Sequence, residues 1–344
     1  MSNREQNAGW DGLNAAIAEA RALIAAETSE PELLAEGEAY VSRVVTAALS
    51  GAVMGHRHTQ DGLATALPVY GGPNPDYIMR HAMVSPEGQY RLEGRLNGSE
   101  RVGVGLYTIG RNGAPLLAAY TAFDSRNCGP DGSFSLDIAA DAEGPGTLAI
   151  PPGARILMFR ALHRDNTPPA QLDLSGGQPL RGPTLVGGSN EAALAHVASQ
   201  VRSNVTEYMK WIKAAHHLPN RLDEAPPELS DTVVGDPDTQ YFLGGFALGE
   251  GEWLEVMLPA GLQGYWSLHA YNFWYEHLVT PGVHDRNAVA GPDNFVRIAV
   301  GPALPADAIN RIDTLGRRKG AFVCRIVGHG SNVEAPQARV HSLK

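Results

Sequence analysis

The chain has 344 residues, 43% hydrophobic and 19% charged, enough for about two domains with real cores. A net charge of -10, from 27 Lys+Arg against 37 Asp+Glu, excludes a general nucleic-acid binder and leaves no polybasic patch for an anionic membrane. Two cysteines, Cys128 and Cys324, cannot make a secreted disulfide scaffold or a cysteine zinc site; with no signal-like start and no run of roughly 18 apolar residues, a soluble cytoplasmic protein is expected.

Residues 1–67 read as an N-terminal helical segment packed on the first β part. Leu13, Ile17, Ala20, Leu23 and Ile24 recur at helical spacing within 10–25. Pro31 opens a second helix in the favoured first turn, with Ser29 or Glu30 as cap and Leu34, Tyr40, Val41, Val44, Val45, Ala48 and Leu49 as its stripe. His56 and His58 would share one face of a strand, which is half of a metal site or else a surface pair.

From residue 68 the pattern changes to short strands and turns. Gly71-Gly72-Pro73-Asn74-Pro75-Asp76 is a rigid loop of turn formers. Strands fit Tyr77–Val84, Gln89–Leu96, Val102–Ile109, Leu116–Phe123, Ser133–Ala139, Gly146–Ile150 and Arg155–Leu162. Arg160 stands among apolar residues there, so its guanidinium needs a carboxylate, a carbonyl or a ligand anion. The first β domain therefore covers 68–183, and the Pro- and Gly-rich stretch 168–188 joins the halves.

A linking helix within 184–222 starts at Asn190, carries Leu194, Val197, Val201, Val205, Tyr208, Met209 and Ile212, and ends at His216-His217. The second β domain covers 223–329, with strands at Tyr241–Ala247, Trp253–Leu258, Tyr265–His277, Phe295–Val300 and Ala321–Val327. Residues 330–344 read as a frayed tail. The fold class is mainly β with helices: two antiparallel sandwich or jelly-roll-like parts joined by a long helix. A faint echo links Ala154–Arg160 to Gly320–Arg325, each an apolar strand ending in Arg.

The richest stretch is Tyr265 to His277. Its odd positions give Tyr265, Ser267, His269, Tyr271, Phe273, Tyr275 and His277; its even positions give Trp266, Leu268, Ala270, Asn272, Trp274 and Glu276. Alternate residues of a strand face opposite sides. Both faces mix aromatic bodies with polar tips, as a small-molecule pocket wall does, or as a sandwich strand with one wet face does. His269 is the candidate for acid–base work, and Tyr271 and Tyr275 the candidate donors to an oxyanion. Trp266, Asn272, Trp274, Glu276, Arg160 and Arg311 are the candidate substrate contacts. Which face lines the pocket stays open.

Three segments resemble the bacterial family named "domain of unknown function 1214". They are Asn74-Pro75-Asp76-Tyr77 with Gln89–Gly94, Tyr265-Trp266-Ser267 with Tyr271–Trp274, and Asn310–Gly316 closing with Gly320 and Arg325. The resemblance spans about 70–327 and implies a mostly β chain of two parts, of bacterial origin, without a settled activity. The chain departs from that pattern at Arg311 and Arg317, which implies a more cationic pocket suited to a carboxylate or phenolate.

Nucleotide, flavin, hydrolase-elbow and zinc-helix motifs are absent, so no cofactor and no metal is expected. The expectation is a cofactor-independent lyase, isomerase or hydrolase acting on a small apolar or aromatic catabolite, aromatic or terpenoid. Two alternatives stand beside it: a non-catalytic binder of such a molecule, and an interaction protein whose aromatic strand is a subunit interface. Nucleic acid and membrane are not expected partners; an oligomer is compatible with the sequence.

Overall fold

A computed structural model describes residues 3–54, 63–65, 71–110, 115–177, 190–226, 229, 236–328 and 333–343. The His56/His58 pair lies outside them. The chain is mainly β. No helix among the described residues is long and apolar enough to cross a membrane.

Helix α1 (Asn3–Glu27) buries Leu13, Ala20 and Ile24 of the expected stripe together with Ala16, while Ile17 is half-buried and Leu23 exposed. Helix α2 (Pro31–Met54) starts at the proline, and Thr28 accepts the Glu30 backbone N–H just before it. The first lobe follows. It contains β1 (Ala64–Thr65), β2 (Tyr77–Met83), β3 (Tyr90–Arg95), β4 (Arg101–Ile109), β5 (Pro115–Asp124), β6 (Ser133–Ala139), β7 (Thr147–Ala149), β8 (Ala154–Leu162) and β9 (Gln171–Gly176). Helix α3 (Asn190–His216) leads into the second lobe, which contains β10 (Asp223–Glu224), β11 (Thr239–Ala247), β12 (Glu252–Pro259), β13 (Trp266–Tyr271), β14 (Val283–His284), β15 (Phe295–Gly301), β16 (Asn310–Asp313), β17 (Lys319–Val327) and β18 (Gln337–Ser342).

Each lobe has a five-stranded and a four-stranded sheet. The orders are β1-β2-β8-β4-β5 and β7-β6-β3-β9 in the first, and β10-β11-β17-β13-β14 and β16-β15-β12-β18 in the second. Adding nine to every strand number converts one lobe into the other. Even the parallel pairs match, β6 with β7 and β15 with β16. The register matches too. Arg160 stands opposite Met79 and Gly103, and Arg325 opposite Tyr241 and Ser267. The echo between Arg160 and Arg325 in the sequence is therefore a topological equivalence.

One core in each lobe lies between its two sheets: Leu92, Val104, Leu136 and Phe159 in the first, Val256, Leu268, Ile298 and Cys324 in the second. Burying each such side chain stabilises by about 1.5–3 kcal/mol. The other face of the first five-stranded sheet turns toward a seam between the lobes, and that of the second is shared between this seam and the helices.

Four expectations need correction. The helical pair packs on α3 and on Leu243, Tyr271, Trp274 and Val323 of the second lobe, not on the first β part. The region expected as a linker contains β9, which pairs with β3, and the expected tail contains β18, which pairs with β12. The strand expected to run to His277 ends at Tyr271. Asn272 takes the backbone N–H groups of Trp274 and Glu276 on its side-chain oxygen, at 3.0 and 2.9 Å. Tyr275 turns left-handed (φ 62°), and His277 comes back to pair with Tyr271.

Candidate functional site

The site is built where a loop of the first lobe crosses β13. Asn74 holds an Asx turn, its side-chain oxygen accepting the Asp76 N–H at 3.0 Å. That turn aims Asn74 and Asp76 at Tyr265, just before β13. The Tyr265 hydroxyl lies 2.7 Å from Asn74 Nδ2, Asp76 Oδ2 and Ser267 Oγ. A phenol has one proton. It goes to the carboxylate, so Ser267 donates to Tyr265. Further along the same loop, Pro73 O accepts from the Tyr271 hydroxyl at 2.9 Å, and Gly72 O accepts from Arg325 Nη2 at 2.5 Å. Arg325 Nη1 also donates to the Tyr271 oxygen at 2.8 Å. Gly72 has φ 63°, and a Cβ there would strike the Tyr275 ring, so the crossing requires glycine.

The contact is reciprocal. Asp236-Pro237-Asp238 precedes β11 as Asn74-Pro75-Asp76 precedes β2, with the same Asx turn at 3.0 Å. It reaches Arg101, the first-lobe position equivalent to Tyr265, through Asp236 at 3.4 Å and through Asp238. The Asp-Pro-Asp repeat of Asn-Pro-Asp is the sequence signal that would have exposed both the duplication and the seam.

His269 lies beneath this loop, 1% exposed. Its Nε2 is 3.8 Å from Asp76 Oδ1, beyond hydrogen-bond length, and its Nδ1 is buried without a partner. His277 meets it edge to face at 5.6 Å and has its own orphaned Nε2. Burial, then the positive charge of Arg325, holds both imidazoles neutral: His269 well below its ordinary value and His277 down to about 4. Burial also pushes the Tyr265, Tyr271 and Tyr275 hydroxyls up, against the pull of Arg325 on the last two. The phenols here are proton donors, and the imidazoles are free bases.

The structure brings together His269, Tyr271 and Tyr275 and separates the rest. Tyr275 stacks on Trp211 and lies 5.1 Å from the Tyr271 ring. Trp266 points into the second-lobe core, on the far side of β13. Trp274 is fully buried, donates its indole N–H to Leu33 O at 2.8 Å and stacks on Tyr40. Glu276 forms a bidentate ion pair with Arg43 and accepts from Asn272. Asn272, Trp274 and Glu276 therefore fasten the helices to the turn, and their reading as substrate contacts is corrected on that ground. Arg160 lies in the first-lobe half of the seam, 5.8 Å from the Tyr107 ring. Arg311 is exposed and donates to the Ala306 and Ala308 carbonyls, and Arg317 pairs with Glu36. Neither makes the pocket cationic. The two residues that sequence reasoning left without a role, Asp76 and Arg325, sit at the centre.

The aromatic strand is covered within its own chain and offers no face to a second subunit. A separate groove of about 400 Å³ lies on the outer side of the β16-β15-β12-β18 sheet, lined by Trp253, Phe295, Arg297 and Asn310 among others. Among the described residues no group of three or more His, Cys, Asp or Glu is placed to hold a metal ion.

No family model matches the chain, and no curated protein matches it. Among solved structures, an uncharacterised protein from Burkholderia cenocepacia is similar over 97% of this chain and 96% of its own length, at 23% identity and a TM-score of 0.84. A protein from Vibrio parahaemolyticus aligns over 88% of this chain and 97% of its own, at 13% identity and a TM-score of 0.49. The first shares the fold. At these identities nothing about activity follows.

Proposed function

We propose that the seam face of β13 is an acid–base site for a small apolar or aromatic molecule, working without a cofactor as a lyase, isomerase or hydrolase. The observation that carries this is His269. Burying an imidazole with neither nitrogen hydrogen-bonded among the described residues costs about 1–3 kcal/mol, and such a group calls for an explanation. A ligand that exchanges a proton with His269 supplies one. The imidazole is neutral and able to accept a proton. Once protonated, it gains Asp76 at 3.8 Å as a counter-charge. Tyr271 donates toward negative charge that develops on the ligand. The Gly71–Asp76 loop excludes water while it is down and must lift to admit a ligand.

The kinship proposed with the bacterial family of unknown function agrees with this placement, because its Asn-Pro-Asp and Tyr-Trp segments meet here. The segment at 310–316 does not join them. The sheet pairs around single cores support reading each lobe as a sandwich of the jelly-roll kind, and the two free thiols support a cytoplasmic setting.

The test is turnover by wild type and His269→Gln over a panel of aromatic and terpenoid lyase, isomerase and hydrolase substrates. The expected loss in the variant is about 10²- to 10⁴-fold. Equal turnover in both proteins would overturn the assignment. A non-catalytic binder is the second reading, favoured because Asp76, the nearest carboxylate, is already bonded to Tyr265. Saturable binding by wild type with no turnover anywhere in the panel decides for it.

A further inference from the structure

Four arginine side chains are buried along the seam, Arg101, Arg160, Arg164 and Arg325, and they are neutralised differently. Arg101 meets Asp236 and Asp238, and Arg164 meets Glu100 at 2.7 Å and Asp285 at 2.5 Å. Arg325 meets no carboxylate among the described residues. Its acceptors are two neutral oxygens, Gly72 O and the Tyr271 hydroxyl, and it lies 5.9 and 5.8 Å from the Tyr241 and Tyr271 rings. A guanidinium has five N–H groups. The two hydrogen bonds use two of them. The rings return about 0.5–2 kcal/mol each, while an unpaired buried charge costs several kcal/mol.

The position of Arg325 says what this charge is for. It stands directly across from Ser267, with His269 two residues farther along the same face of β13. An anionic group on Arg325 therefore leaves the body of a ligand lying over Ser267 and His269. Gly72 O accepts from Arg325 and Pro73 O from Tyr271, so these two loop carbonyls occupy donors that an anionic group could take. The loop carbonyls act as a neutral substitute for the missing anion, and a carboxylate would displace them with charge-assisted bonds.

We infer that the ligand of this site carries a carboxylate or a phenolate, and that Arg325 is the residue that seats it. The inference rests on β13 being a small-molecule site, and adds the ligand's charge. Departure from the resembled family's pattern at Arg311 and Arg317 implied a cationic pocket; the cation that reaches β13 is Arg325.

The experiment is calorimetric titration of the full chain at about pH 8 with benzoate, with 4-nitrophenolate and with neutral benzyl alcohol. Wild type is expected to bind at least one of the anions about 10- to 100-fold more tightly than the alcohol, the range of one or two charge-assisted hydrogen bonds. Arg325→Gln should abolish that preference, and Arg325→Lys should keep part of it. Benzyl alcohol binding as tightly as both anions would overturn the inference and leave the site itself standing. Anion affinity unchanged in Arg325→Gln would do the same. No binding of any probe would count against the site and the inference together. The wild-type comparison needs no variant, so a folding defect in Arg325→Gln does not spoil the test.

Discussion

Gly103 and Gly105 on β4 occupy the positions that Ser267 and His269 hold on β13. Around them the two lobes agree closely. Arg160 and Arg325 lie at the same place in equivalent central strands, each 5.8 Å from the ring of an equivalent tyrosine, Tyr107 or Tyr271. The difference is in what fills the middle. In the first lobe a Cβ at Gly103 would strike the Tyr120 hydroxyl, and one at Gly105 would lie 2.8 Å from the Tyr107 ring, so tyrosines fill the space that glycine leaves. In the second lobe the same space holds a serine and an unbonded histidine. One scaffold therefore carries two different interiors, and the site proposed for the second lobe rests on two side chains that the first lobe lacks.

The helices add a second asymmetry, since among the described residues their shared core is with the second lobe. Trp274→Ala should show it most strongly. Removing that buried indole is expected to cost about 3–5 kcal/mol by urea denaturation. Hydrogen exchange should rise in α1 and α2 while β2, β4 and β8 keep their protection. An even rise across both lobes would mean that the lobes open as one unit, and the comparison would lose its force.

Acid should also separate the lobes. His277 falls to about 4 in the folded protein from an ordinary 6.5, and burial holds His269 well below its ordinary value too. Below pH 6.5 the unfolded chain takes up protons that the folded chain refuses, so stability is complete above that pH and declines as the pH drops toward 4. His277→Phe should remove up to one proton from this dependence. Exchange measured near pH 5 should show β13 and its turn opening before β4. A stability curve that stays flat from pH 7 to 4.5 would contradict the assignment of neutral buried imidazoles.

Crossing the furnishings gives smaller effects. Gly105→Ala is expected to destabilise by about 1–3 kcal/mol through crowding against Tyr107. Ser267→Ala, which removes one hydroxyl bonded to Tyr265, should cost about 1 kcal/mol. If Gly105→Ala proves neutral, the first-lobe seam is not filled by its tyrosines and has room of its own.

Much of the frame was legible in the sequence because its signals are local. Helical spacing located α1, α2 and α3, and turn formers between alternating runs located most strands. The strands that escaped lie at sheet edges. Gln171–Gly176 and Gln337–Ser342 have little apolar content and form by pairing with β3 and β12. That His269 and Tyr271 share one face of β13 was legible from period two alone. Trp274 and Glu276 were misread because an aromatic ring and a carboxylate suit a helix anchor as well as a pocket wall. Asp76 and Arg325 acquire their roles only when the lobes meet, through contacts between residues far apart in the chain. No local pattern encodes that, although the repeated Pro-Asp loop marks where it happens.

The most direct measurement is the position of a heavy-atom ligand. Crystals grown with 4-bromobenzoate should show one anomalous bromine peak in the second-lobe half of the seam, with the carboxylate on Arg325 and the ring over Ser267 and His269. A peak beside Arg160, equal peaks in both lobes, or one confined to the outer groove at Trp253 would contradict the account.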